Sequence, residues 1–196
     1  MVNLFSWIFT LGGIFSYLIL FIHSIKGKER EQTSSLFIFI GGFIVALLLE
    51  FTLTIILNAY TYQNLPLTIF SIPIVIPLGW VITFYCILEL NIDLLQELNQ
   101  SKNYILLILL IFISSCFFGF SIEVLARNAD FWIFHFDSLE IFNIPIIVTL
   151  SWGFSVVIFS SSYLVYEKIK KIPIVILICS LVLNIIIGII LLSFVK

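Results

Sequence analysis

Charge is what this chain lacks. Nine of its 196 residues are Lys or Arg and eleven are Asp or Glu, so 10% are charged where an ordinary globular chain carries roughly 25%. So few charged side chains cannot coat a soluble protein of 22.5 kDa, which excludes a water-exposed globular surface. The formal net charge of -2 and the lack of any basic stripe exclude a nucleic-acid partner. Intrinsic disorder is excluded by the apolar excess. Cysteine is also scarce: Cys86, Cys116 and Cys179 each sit in an apolar run, form no CxxC or Cys/His cluster, and read as small buried hydrophobes. No Gly-rich phosphate loop, Ser/His/Asp constellation or aspartate-rich diphosphate motif occurs, so neither a cofactor nor a metal is expected.

What the chain has is apolar length. Hydrophobic residues make up 62% of it, enough for six membrane-spanning helices of ~20 residues. The polar interruptions place these over about 4–23, 36–58, 68–91, 104–126, 142–165 and 173–195. The expected fold is therefore an all-α polytopic membrane helix bundle, with 1–196 as a single transmembrane domain. The leading Met1-Val2-Asn3 carries no positive side chain and no small-residue cleavage site follows, so the first stretch is expected to be a true span. Lys26, Lys28, Arg30, Lys102, Lys168, Lys170 and Lys171 fall in the odd-numbered loops, against Arg127 and Lys196 on the other side. That bias predicts both termini outside the cytoplasm.

The chain also matches itself. Phe70-Ser-Ile-Pro-Ile-Val-Ile-Pro-Leu-Gly-Trp80 aligns on Phe142-Asn-Ile-Pro-Ile-Ile-Val-Thr-Leu-Ser-Trp152 at an offset of 72, with six of eleven positions identical. The weight rests on the rare residues, Pro73 with Pro145 and Trp80 with Trp152. Glu50 precedes the first tryptophan by 30 residues and Glu123 the second by 29. The units, about 36–91 and 104–165, begin with spans of the same direction, which predicts a parallel two-helix repeat around a common cavity. The prolines are expected in the first turn or two of their helices. The tryptophans are expected about a dozen residues inside their spans.

Glu50, flanked by Leu47-Leu48-Leu49 and Phe51, is the most informative residue. A charge at mid-span costs about 2.5 to 3.5 kcal/mol on insertion scales, so such a group usually faces a cavity. The plain alternative is a neutral Glu50 hydrogen-bonded to Asn58, Thr52 or a tyrosine. For Glu123 the alternative is an interfacial acid paired with Arg127. Tyr60, Tyr62 and Trp132 fit an aromatic belt by default, as does Trp7. His135, near Asp137 and Glu140, matches no recognised metal-ligand spacing. Carboxyl groups and aromatic faces in a lipid-accessible cavity suit an apolar polyene or isoprenoid lipid. A carboxylic acid can protonate a carbon-carbon double bond, and electron-rich rings can shield the cation.

These residues carry a resemblance. Glu50, Tyr60-Thr-Tyr62 and Ile72-Pro73 through Trp80, then Glu123, Trp132, Ile144-Pro145 and Trp152, resemble the two signatures of the carotenoid biosynthesis protein family, which includes carotenoid 1,2-hydratases. The resemblance covers roughly residues 36–165. It implies a multi-pass hydratase in which Glu50 protonates a terminal isoprene double bond and Glu123 orients water or acts as partner base. Tyr60, Tyr62, Trp80, Trp132 and Trp152 line the polyene site in that picture. Where the family commonly has Asp-Pro after the second acid, this chain has Arg127-Asn128. Where the distantly related small membrane lycopene cyclases carry carboxylates after the repeated proline, it has Ile74-Val75 and Ile146-Ile147, which disfavours cyclisation. The rival readings are a non-enzymatic isoprenoid-binding protein, a small transporter and an assembly partner.

Overall fold

The computed structural model describes residues 3–26, 32–100 and 102–195. Met1, Val2, Lys28, Arg30 and Lys196, which entered the readings of the amino terminus and the charge bias, lie outside the described residues. Six helices are long and apolar enough to cross a membrane: α1 (Leu4–Lys26), α2 (Gln32–Ile56), α3 (Val75–Glu97), α4 (Tyr104–Asn128), α5 (Ile146–Ile169) and α6 (Pro173–Ser193). At 1.5 Å rise per residue each exceeds the ~30 Å hydrocarbon core. The protein is an all-α polytopic helix bundle. The two long connections, α2 to α3 and α4 to α5, lie at one end, here the hairpin end. The helix ends and connections that carry Lys26, Lys102, Lys168, Lys170 and Lys171 lie at the other.

Each long connection folds into short strands. In the first these are β1 (Tyr60–Tyr62), β2 (Thr68–Ile69) and β3 (Ile72–Pro73). In the second they are β4 (Trp132–Phe134), β5 (Glu140–Ile141) and β6 (Ile144–Pro145). β2 and β3 form one hairpin, β5 and β6 another, and the turn residues Phe70, Ser71, Phe142 and Asn143 all have positive φ. Both central residues at positive φ give the turn that matches strand twist, usually supplied by Asn-Gly. Here apolar strands and a phenylalanine in the turn disguise it. The third and fifth spans therefore start at Val75 and Ile146 rather than at 68 and 142. Pro73 ends a strand and Pro145 caps its helix, so neither is in the first turns. Trp80 and Trp152 lie five and six residues past those starts, about 8 and 9 Å in, not a dozen residues deep.

The repeat is visible as a pseudo-two-fold axis. β1 pairs antiparallel with β4, Tyr60 opposite Phe134, Thr61 opposite Ile133 and Tyr62 opposite Trp132. Since 61 + 72 = 133, Thr61 faces its own counterpart and the axis passes between them, as symmetry between like units requires. The one-residue discrepancy between the glutamates (123 - 50 = 73) is absorbed in α2. Its segment Thr52–Ile56 is π-helical, whereas α4 remains α-helical past Glu123. A π turn takes one more residue than an α turn, so both glutamates reach equivalent positions despite the insertion.

The lysine-end half of the bundle is closed by packed aromatics. Phe84 stacks on Phe159 at 4.3 Å between centroids and Phe37 on Tyr166 at 4.4 Å. α4 and α5 approach closely at two glycines: a Cβ at Gly153 would meet Cys116 Sγ at 2.6 Å, and one at Gly119 would fall inside the Trp152 indole. α1, against α3, and α6, against α5 and α2, cover the outside and are the least buried spans. Cys86 and Cys179 are exposed on the bundle surface and Cys116 is half-buried, correcting the expectation of buried thiols. A span in lipid tolerates apolar side chains on every face, so hydrophobicity alone did not report their direction.

Candidate functional site: a two-carboxyl cavity at the hairpin end

The helix starts and the interunit strands bring the repeat's polar residues together. Glu50, on α2, is 2% exposed. Its Oε2 accepts from the Tyr60 hydroxyl at 2.5 Å and from the Tyr62 hydroxyl, while its Oε1 accepts from Trp80 Nε1 at 2.6 Å. Glu123, on α4, is 4% exposed. Its Oε1 accepts from Trp152 Nε1 and its Oε2 from Trp132 Nε1, each at 2.9 Å. The two tryptophans from the helices, Trp80 and Trp152, stack at 3.9 Å and 21°. One continuous chain thus runs from Glu50 through the paired indoles to Glu123.

Symmetry explains most of this arrangement and isolates one difference. Trp80 corresponds to Trp152, and Tyr60 to Trp132, at the offset of 72. Tyr62 corresponds to Phe134, which has no hydroxyl. Glu50 therefore holds three donors and Glu123 two. Burial, with the Glu50 carboxyl beside them, holds the phenols of Tyr60 and Tyr62 well above their ordinary range, so both remain O–H donors at physiological pH.

All seven residues singled out in the sequence border one cavity of about 410 Å³, a size suited to a small apolar ligand or one end of a long one. Its remaining wall is mostly apolar, with Phe9 and Gly12 from α1, Phe118 from α4 and Phe136 from the second connection. Gly79 also borders it, and a Cβ there would meet nothing within 4 Å. The lining reaches Thr83 and Ser155 on α3 and α5, and the Phe84–Phe159 stack lies beyond.

Glu50 makes the tyrosine bonds its plain alternative allowed, whereas Glu123 departs from the expected pairing with Arg127. Glu50 bonds to tyrosines, but Thr52 turns back to the Leu48 carbonyl. Glu123 bonds to two tryptophans, while Arg127 is exposed on the next turn. Trp132 is buried at 6%, hence no belt residue, whereas Trp7 is 41% exposed. His135 Nε2 meets Thr61 Oγ1 at 3.1 Å across the strand pair. Besides Thr83 and Ser155 within the repeat, one further polar residue at the cavity was not singled out in the sequence: Asn184, from α6. A lone carboxamide inside an apolar span was signal enough to find it, but it lies outside the repeat.

The class these features define is a polytopic membrane-type bundle with a two-carboxyl cavity built from a tandem repeat. Compared with family models, curated proteins and solved structures, the chain has no match.

Proposed function

We propose that the protein is an integral membrane hydratase of carotenoid or isoprenoid biosynthesis, similar to the carotenoid biosynthesis family, adding water to a terminal isoprene double bond. The observation that supports this reading is the pair of buried carboxyl groups bordering one apolar cavity with stacked indoles between them. The ligand is an apolar polyene or isoprenoid that enters from membrane lipid, and no soluble cofactor is called for.

Hydrogen-bond chemistry divides the work between the carboxyls. Three donors converge on Glu50 and favour its anion. Both partners of Glu123 are indole N–H groups, which donate and cannot accept. A proton on Glu123 therefore has no acceptor within its own bonding set and is available to a ligand. This reverses the expectation from the sequence, in which Glu50 is the acid and Glu123 its partner. Glu123 delivers its proton to the terminal double bond, whose π pair forms the new C–H bond and leaves a tertiary cation. The indole faces and the Glu50 carboxylate stabilise that cation. Water forms the C–O bond, and its surplus proton passes to Glu50. Exchange with solvent then returns Glu50 to the anion and Glu123 to the acid.

A host that makes acyclic polyenes tests the reading. Lipid extracts are expected to gain a product heavier by one water when the chain is expressed; extracts without such a product count against hydration. A non-enzymatic isoprenoid binder is the second reading, because the same cavity serves binding alone. Transport fits less well, since aromatic packing lies between the cavity and the lysine end.

The proposed location is the cell membrane, with both termini and the hairpin end on the extracytoplasmic side, as the seven-to-two distribution of Lys and Arg favours. Cysteines introduced at Lys28 and Arg30 are expected to resist an impermeant thiol reagent in intact cells. Labelling from outside reverses the orientation.

A further inference from the structure

Asn184 sits within α6, a span whose other cavity-lining side chains are Leu191 and Leu192. It is 3% exposed. Its Nδ2 donates to the Ser180 carbonyl of its own helix at 2.9 Å, and its Oδ1 has no hydrogen-bond partner among the described residues. Ser180, one turn earlier on the same face, also has a buried oxygen without a partner. Leaving a carboxamide oxygen unsatisfied in an apolar interior is costly, so such groups call for an explanation. Interhelical packing does not provide one: a polar residue serving as glue bonds across to a neighbouring helix, and this one bonds only backwards along its own.

Its position gives the explanation. α1 brings only Ile8, Phe9, Gly12 and Gly13 to the cavity, so Asn184 is the one polar side chain there from outside the repeat. Gly188 packs beside Leu53 of α2, where an added Cβ would lie 3.4 Å from the leucine side chain. α2 and α6 run the same way, so four residues back along each helix puts Asn184 level with Leu49, next to Glu50.

We infer that Asn184 is a hydroxyl-binding residue of this cavity, its Oδ1 accepting an O–H group. The source is either the water that adds to the double bond or a hydroxyl already on an isoprenoid chain. The inference rests on the isoprenoid reading above and adds a recognition group that the repeat does not contain.

Two measurements on the purified full chain, wild type and Asn184→Leu, separate the sources. The first is titration with farnesol and with its hydrocarbon counterpart farnesene, followed by tryptophan fluorescence. A loss of about tenfold in farnesol affinity with farnesene unchanged, the effect of one hydrogen bond, assigns the ligand's hydroxyl. The second is incubation with acyclic polyene in deuterium oxide. Deuterium still entering the recovered polyene while hydrated product falls about tenfold assigns water, because protonation and loss of a proton continue without capture. Asn184→Leu equal to wild type in both measurements overturns the inference. Removing an unsatisfied group is expected to leave the melting temperature no lower. Asn184→Ser, which keeps an oxygen, is expected to recover part of whichever effect is seen, and no recovery argues for a packing role. If wild type discriminates farnesol through Asn184 yet makes no hydrated product, the hydratase reading fails and the Asn184 site stands.

Discussion

Replacing Glu123 with Gln is expected to end both hydration and the exchange of deuterium from solvent into the polyene. Glutamine has nearly the shape of the acid but no proton to give, and losing a positioned acid or base costs about 10²- to 10⁴-fold. The substitution also sets an amide NH₂ against an indole N–H, since Trp132 and Trp152 each donate to a different oxygen of Glu123. Glu50→Gln is expected to behave differently. Its tyrosine partners can turn their hydroxyls to accept, so the bonding set adapts. What is lost is the negative charge that steadies the cation and takes the proton from water. Hydrated product is expected to fall by a similar factor while deuterium exchange falls less. The opposite pattern, with exchange surviving Glu123→Gln and lost in Glu50→Gln, returns the acid role to Glu50. Exchange and product unchanged in both variants removes the carboxyls from the chemistry and leaves the binding reading.

Gly119→Leu is expected to be the most damaging single substitution for the fold. The added side chain occupies the space of the Trp152 indole, which is backed by its stack on Trp80 and tied to Glu123 at 2.9 Å. Trp152 has to move, so the change combines overpacking, at about 1 to 3 kcal/mol, with loss of a hydrogen bond to an acidic group, at about 1.5 to 3 kcal/mol. A sum of about 2.5 to 6 kcal/mol is expected, read as a large drop in melting temperature of the detergent-solubilised protein. Gly79→Ala is the matched control, because a Cβ there meets nothing within 4 Å. Gly119→Leu melting with the wild type excludes the close α4–α5 approach.

Much of this architecture was legible in the sequence because lipid is a demanding solvent. A span must be long and apolar whatever it packs against, so the six helices could be read from composition and polar breaks alone. Charge is so expensive there that Glu50 stood out. Duplication made the rest legible, since matching Pro73, Trp80, Pro145 and Trp152 aligned two units whose glutamates then fell into correspondence. The helix starts were less legible. Thr68–Pro73 is nearly as apolar as the helix it precedes, Phe142 through Pro145 runs straight into the next, and both turns carry phenylalanine where glycine would have announced them. The tryptophans were consequently placed too deep.

The scarcity of charge, by itself, determined that this protein is a membrane bundle, and the repeat determined that its glutamates Glu50 and Glu123 and the tryptophans Trp80 and Trp152 come in corresponding pairs. Only the tertiary structure decided what those pairs do to each other. Antiparallel pairing of Tyr60–Tyr62 with Trp132–Phe134 joins the units across their axis, and the indole stack puts both carboxyls on one cavity. The π turn after Glu50 corrects a one-residue mismatch that would otherwise rotate one glutamate away from its partner. Nor could periodicity announce Asn184 as a cavity residue, since in a span that is apolar all round the inward face is set by packing against α2 and α5. Hydrophobicity decides which residues leave water, whereas contacts between residues far apart in the chain decide which of them meet.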